Sequence, residues 1–206
     1  YIFSIAVDNE NAKWIGTDGK GVAVLKNDEW TVYNSSNSPL QDNRVQYVFV
    51  DNQNNKWFGT TNDGLVKFDG TNWTIFNTSN SSIPSNNIMA IAQSSDGSIW
   101  IGTYDKGVAV LKGNAFTFFN TTSGLPSNFI TSILVGKSNE IWVATYKGGV
   151  AVYKGGTWKV YNNENSGLSN SINTLGMDNN GVIYAGTIGS GAARFVSGSW
   201  DYIQPS

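Results

Sequence analysis

Ile99-Trp100-Ile101-Gly102-Thr103, followed four residues later by Gly107-Val108-Ala109-Val110, recurs in nearly the same form five times along the 206-residue chain. The aromatic anchors stand at Trp14, Trp57, Trp100, Trp142 and Tyr184, in steps of 43, 43, 42 and 42 residues. A second aromatic follows each anchor by 16 residues, at Trp30, Trp73, Phe116, Trp158 and Trp200. A period of this length marks a repeat architecture, in which one unit cannot bury its own apolar surface and must stack on its neighbours. The repeat runs from one end of the sequence to the other, so the whole of residues 1–206 reads as one domain, with units at about 1–43, 44–86, 87–128, 129–170 and 171–206.

Four strands are expected in each unit. The first is the apolar run ahead of the anchor: Ile2 to Val7, Val45 to Val50, Ile88 to Gln93, Ile130 to Val135 and Ile172 to Met177. These runs end in polar turns such as Asp8-Asn9-Glu10-Asn11 and Asp178-Asn179-Asn180-Gly181, where Asx turns reverse the chain. The second strand carries the anchor. Its residues are apolar at both parities, which places it in a sheet covered on both faces. The Gly of the Gly-Thr pair that follows implies a large group packed over its backbone, expected to be a ring of the adjoining sheet. A third strand (Val22 to Leu25 and counterparts) opens on a Gly in all five copies, which points to positive φ. The fourth, such as Trp30-Thr31-Val32-Tyr33, alternates as an outer strand does. Asn-, Ser- and Thr-rich loops ending in strings such as Leu125-Pro126-Ser127-Asn128 join the units.

Five antiparallel four-stranded units of about 42 residues, buried on both faces, specify an all-β protein, a five-bladed β-propeller. Because an arc would leave two apolar sheet faces bare, the expectation is a closed monomeric ring. Such a ring would place Tyr1 near Ser206.

Composition narrows the function. Charged residues are 14% of the chain against about 25% in typical soluble domains, and the net charge is −2 with no basic cluster. Nucleic acid and anionic lipid are therefore not expected partners. No apolar run is long enough to cross a bilayer as a helix. With no His and no Cys, Ser-His-Asp and Cys-His catalysis and the usual zinc site are excluded. No acid stands at the start of any first strand, where Tyr1, Phe3, Arg44, Gln46, Asn87, Met89, Phe129, Thr131, Ser171 and Asn173 are found, so a glycosidase carboxylate pair is not expected. The calcium-loop-like runs from Asp8 and Asp51 lack the terminal Glu and read as Asx turns. No catalytic residue, metal ligand or cofactor is expected.

The string Leu-Pro-Ser-Asn, apolar strand, Asp-x-x-Gly, Ile-Trp-Ile-Gly-Thr, Gly-Val, ending in Trp-Thr-x-Tyr, resembles the two-component regulator propeller repeat, and the third unit shows it best. The resemblance covers essentially the whole chain. It implies a bacterial binding or sensor module, periplasmic or extracellular, for a glycan or a protein partner. It also leaves open a structural or interaction scaffold of a secreted or surface protein.

Repeated aromatics in phase with the Gly-Thr pair read as core. Function is expected where the copies disagree, namely at the start of the first strand and in the turn between the second and third strands, which meet around the mouth of the channel. Tyr104, Tyr146, Arg44, Asn87, Asp105, Lys147 and Phe129 are the candidate ligand-binding residues there.

Overall fold

The computed structural model describes residues 1–203. Blade one comprises β1 (Ile2–Val7), β2 (Lys13–Thr17), β3 (Val22–Lys26) and β4 (Glu29–Tyr33); blade two comprises β5 (Val45–Val50), β6 (Lys56–Thr60), β7 (Leu65–Phe68) and β8 (Trp73–Phe76). Blade three holds β9 (Ile88–Gln93), β10 (Ile99–Thr103), β11 (Val108–Lys112) and β12 (Ala115–Phe119); blade four holds β13 (Ile130–Val135), β14 (Ile141–Thr145), β15 (Gly149–Lys154) and β16 (Thr157–Tyr161). Blade five is β17 (Ile172–Met177), β18 (Ile183–Thr187), β19 (Ala192–Val196) and β20 (Ser199–Tyr202). Each set pairs antiparallel in chain order, so the fold is a β-propeller of five four-stranded blades.

The first strand of every blade carries one extra residue opposite its partner, a β-bulge that leaves Phe3, Gln46, Met89, Thr131 and Asn173 out of the ladder. A bulge bends its strand and redirects a side chain. All five lie at the mouth end, beside the turn between second and third strands.

Anchor rings are locked from behind by the polar turn that precedes them. Trp14 and Trp57 donate Nε1–H to Asp8 and Asp51 at 2.9 and 2.8 Å, and Trp100 donates to Ser94 Oγ at 3.1 Å. Asp8 and Asp51 also accept backbone N–H groups two and four residues on, which makes both runs Asx turns. Each of these three anchors thus satisfies its one polar atom while its ring is buried.

The seams between blades repeat one pattern. At the third, Trp100 and Phe119 of blade three lie parallel at 6.0 Å, and Tyr153 and Trp158 of blade four pack on them, with centroids 5.1 and 5.4 Å from Phe119. Around such aromatics, four apolar clusters join blades one to two, two to three, three to four and four to five.

Two expectations are corrected. What covers the Gly of the Gly-Thr pair is an aliphatic side chain, not a ring: a Cβ on Gly102 would come within 2.6 Å of Ile130 Cγ2, and one on Gly59 within 2.8 Å of Ile88 Cγ2. The inner strand of the following blade runs directly across the glycine, and a branched aliphatic fits that narrow gap where a ring would not. Ring closure is the second correction. Inner strands pack in the succession β1, β5, β9, β13, β17, and among the described residues no cluster joins blade five to blade one. Ile2 and Ile5 on β1 are 62% and 58% exposed. Ser206, expected near Tyr1, lies outside the described residues.

Candidate functional site

The mouth is fastened in the same way in every blade. The first residue of each turn between second and third strands donates its N–H to the carbonyl of the residue opening the unit: Asp18 to Tyr1 (2.9 Å), Thr61 to Arg44 (3.2 Å), Tyr104 to Asn87 (3.1 Å), Tyr146 to Phe129 (3.0 Å) and Ile188 to Ser171 (2.9 Å). Beneath it, the Thr of the Gly-Thr pair donates Oγ1–H to the carbonyl of the Gly opening the third strand, as Thr103 does to Gly107 at 2.8 Å. That Gly has φ of 77° to 86° in the five blades. At Gly107 a Cβ would come within 2.2 Å of the Phe119 carbonyl oxygen, so both the conformation and the space demand Gly. Invariant chemistry below therefore presents variable side chains above.

Three of those side chains form a continuous row. Phe129 stands between the two tyrosines, its ring centroid 4.4 Å from Tyr104 and 5.3 Å from Tyr146, tilted 50° and 48° to them. Lys147 Nζ lies 5.2 Å over the Tyr146 ring, within cation–π range. Tyr104 is 49% exposed, Lys147 is exposed, and Phe129 and Tyr146 are half-buried.

Beyond Tyr104 the row runs into a recess of about 400 Å3, lined by Thr61, Asn62, Ser85, Asn87, Tyr104 and Asp105. Its polar groups are held in place. Ser85 Oγ donates to Asp105 Oδ1 at 2.7 Å, Lys106 Nζ lies 3.5 Å from Asp105 Oδ2, and the bulge residue Gln46 donates Nε2–H to Asn87 Oδ1 at 2.8 Å. Six of the seven sequence-expected residues thus belong to one patch across blades three and four.

Arg44 does not join it. Its Nε lies 2.9 Å from Asp18 Oδ1 and its guanidinium sits 5.6 Å from the Phe3 ring centroid, so it is spent on the seam between blades one and two. Gln46, Ser85 and Lys106 belong to the patch and were missed. Gln46 could have been found only by anticipating the bulge; the other two sit in strings already recognised as loop and turn.

Asp63, in the equivalent turn of blade two, is buried; that burial, with Asp42 nearby, raises its carboxyl above the ordinary range although the Gln41 N–H donates to it at 3.2 Å. Asp42 in turn accepts the Asn62 N–H at 2.8 Å. Both acids are engaged in holding loops. Among the described residues no cluster of acids has the geometry to hold a metal ion.

A larger recess, about 470 Å3, lies at the opposite end of the blades between blades two and three, lined by residues including Asp51, Gln53, Lys67 and Asp96. Asp51 there is committed to Trp57 and to its own turn, and Asp96 to Lys112 at 2.7 Å.

The two-component regulator propeller family model matches residues 82–105 and 124–147, each running from a linker through the anchor strand to the mouth turn. No curated protein matches the chain. Among solved structures, the extracellular domain assigned to the hybrid two-component system BT4673 of B. thetaiotaomicron is similar at 18% identity and a TM-score of 0.82, over 97% of this chain and 30% of that one. PorZ, a surface component of the type-IX secretion system of Porphyromonas gingivalis, is similar at 22% identity and a TM-score of 0.72, over 94% of this chain and 32% of that one. Virginiamycin B lyase of Staphylococcus aureus is similar at 14% identity and a TM-score of 0.79, over 96% of this chain and 67% of the lyase. The chain thus spans about a third of the two-component-system and secretion-system chains and two thirds of the lyase. At these identities the likeness speaks to fold, and the two segments that match the two-component regulator propeller model stand in register with the other three copies of the repeat.

Proposed function

We propose that this chain is a non-catalytic binding propeller of an exported bacterial protein, and that it holds a glycan across the mouth of blades three and four. The observation that carries this reading is the row Tyr104, Phe129, Tyr146, which ends in Lys147 on one side and in the polar recess of Asn87 and Asp105 on the other. Ring faces take the apolar face of a sugar, and fixed amide and carboxylate groups take its hydroxyls. An extracellular or periplasmic setting agrees with the extracellular and surface proteins that share the fold. No helix among the described residues is long and apolar enough to cross a membrane.

Catalysis is disfavoured by chemistry. A variant of the similar virginiamycin B lyase with one histidine replaced by alanine is described as catalytically inactive, and this chain has no histidine at any position. The similarity to PorZ supports a second reading, a surface scaffold that binds protein and no small ligand.

A glycan array on the chain, repeated with Tyr104→Ala and Tyr146→Ala together, tests the site. Stacking contacts of about 0.5 to 1.5 kcal/mol each predict a loss of about 5- to 150-fold in affinity. Unchanged binding would remove the site, and no binding to any glycan would favour the scaffold. Circular dichroism should show both proteins folded alike.

A further inference from the structure

Blades two and three meet at a seam that departs from the other three. At the first, third and fourth seams the following blade offers an aromatic with a tryptophan laddered opposite it: Phe68 with Trp73, Tyr153 with Trp158, and Phe195 with Trp200. The first ring of each pair packs on the anchor of the blade before, Phe68 on Trp14 at 5.9 Å, Tyr153 on Trp100 at 5.5 Å and Phe195 on Trp142 at 4.9 Å. In blade three these two positions hold Leu111 and Phe116. The anchor's own neighbour has changed as well. Trp14, Trp100 and Trp142 are laddered to Val24, Val110 and Val152, all buried, whereas Trp57 is laddered to Lys67.

The recess of about 470 Å3 at the end opposite the mouth opens at this seam, and Trp57, Lys67, Leu111, Gln53, Gln93 and Ser95 are among its lining residues. At the third seam the equivalent recess is smaller, about 350 Å3, and Tyr153 stands where Leu111 stands here. Packing alone does not account for the exchange: a leucine in the place of a ring leaves space, and a lysine in the place of a buried valine gives up apolar contact. A volume of this size falls within the range of about 300 to 1,000 Å3 usual for small-molecule sites.

Charge indicates what the recess takes. Lys67 is half-buried, its Nζ 5.4 Å from the Trp57 ring centroid, and among the described residues it belongs to no ion pair. The two acids nearby are committed. Asp51 accepts the N–H groups of Gln53 and Asn55, the Asn55 side-chain amide and the Trp57 indole; Asp96 accepts the Ser94 and Ser98 hydroxyls and faces Lys112. The Lys67 ammonium is therefore the open charge, and neutral hydrogen-bonding groups surround it. Gln93 is fixed by the Asn52 N–H, which donates to its Oε1 at 2.9 Å. Gln53 engages only its Oε1, 3.4 Å from Asn55 Nδ2.

We propose that this recess is a second binding site, for a small hydroxylated carboxylate. Its carboxylate meets Lys67 in a charge-assisted hydrogen bond, and its hydroxyls meet Gln53, Gln93 and Ser95. The site lies at the far end of the blades from the mouth and is independent of what the mouth holds.

The probes are gluconate and tartrate, which carry carboxylate and hydroxyls, against sorbitol, which has hydroxyls alone, and acetate, which has the charge alone. NMR of the 15N-labelled chain follows the Trp57 indole N–H and the Gln53 and Gln93 side-chain amides. Gluconate or tartrate should shift these signals saturably. Sorbitol and acetate should bind at least about tenfold more weakly, since each lacks part of the contact set. Lys67→Val restores the residue of blades one, three and four, so it should unfold at the same or a higher urea concentration than the parent while weakening the acid at least about tenfold. Leu111→Tyr, the residue of blade four, should fill the recess and remove the response with Lys67 in place; Lys67→Val decides the case even if that larger ring cannot be packed. The protein carrying Tyr104→Ala and Tyr146→Ala should respond as the parent does, which separates this site from the mouth. The proposal is overturned if neither acid gives a saturable shift, if sorbitol or acetate matches them, or if the response is lost with the mouth tyrosines. It is overturned equally if Lys67→Val binds as the parent does, or unfolds at lower urea, as it would if Lys67 served only to balance the Asp51 charge.

Discussion

β1 and β9 have nearly the same sequence character and opposite fates. Both are six-residue apolar strands with an aliphatic at the first and fourth positions, a bulge near the mouth and an anchor strand beside them. Ile88 and Ile91 are buried to within 1% while Ile2 and Ile5 are more than half exposed. Nothing within the strand accounts for the difference; the preceding blade does. Burial in a repeat protein belongs to the seam, and a strand's pattern announces only that it expects one.

The largest effect should come from comparing aromatic rings in the two settings. Trp100 is 7% exposed and packs against rings of blades three and four, whereas Trp30 is 61% exposed on the bare face. Trp100→Ala should cost about 3 to 5 kcal/mol in denaturant unfolding. Trp30→Ala should stay within about 0.5 kcal/mol of the parent. Equal losses at the two sites would mean that the outer face of blade one is covered in solution, which would erase the contrast.

A smaller effect separates the polar turns. Asp8 meets Lys56 of blade two at 3.4 Å, both side chains buried, with the Lys56 ammonium 5.3 Å from the Trp14 ring centroid. Asp178, its counterpart in blade five, is held by its own turn and by Tyr184. Burial alone would raise the Asp8 carboxyl, but hydrogen bonds from Trp14, Ala12 and Glu10 and the charge of Lys56 outweigh it and bring the group below the usual carboxylate range. The folded state therefore binds the Asp8 proton less tightly than the unfolded one. Its stabilisation is present in full above the unfolded carboxylate range, near pH 4, and is lost as pH falls through the depressed folded value. Asp8→Asn should cost about 1.5 to 3 kcal/mol at pH 7 and flatten the fall in stability on the acid side. The measurement is urea unfolding at a series of pH values. An acid limb as steep in the variant as in the parent would put the sensitivity elsewhere, at Asp96 beside Lys112 or at Asp178 and Asp69, which are also depressed at blade turns.

The unit, its strands and the glycine that opens each third strand were all legible in the sequence, because each depends on chemistry inside about 42 residues and is repeated five times. The first strands fall where the apolar runs placed them, from Ile2–Val7 to Ile172–Met177. The bulge at Gln46 and its counterparts was not legible. It brings the first and fourth residues of the strand, Val45 and Val48 here, to the same face, a spacing of three that does not stand out in so short and apolar a run. Closure was not legible either, since the angle between neighbouring blades is set by the bulk of side chains at the seams and not by the number of repeats. At the mouth, disagreement between the copies located Tyr104, Tyr146 and Phe129, but only three-dimensional placement sets the Phe129 ring between the two tyrosines and turns Arg44 away to Asp18.

The finest test of the comparison uses a single methyl group. At Gly102 the added carbon of Gly102→Ala meets Ile130 at 2.6 Å and Ala90 at 3.3 Å, at a seam where β10 is laddered to both its neighbours and β13 to β14. The blades must part slightly, and overpacking of this kind costs about 1 to 3 kcal/mol. At Gly186 the same methyl meets only the Thr174 methyl at 3.0 Å, and Thr174 is exposed and free to turn away. Gly186→Ala should therefore change stability by less than about 0.5 kcal/mol. Both substitutions make the same change on the second strand of a blade, and neither glycine has positive φ, so backbone preference contributes equally and cancels. What remains is the neighbour. If the two variants unfolded at the same denaturant concentration, blade five would already carry a partner over Gly186.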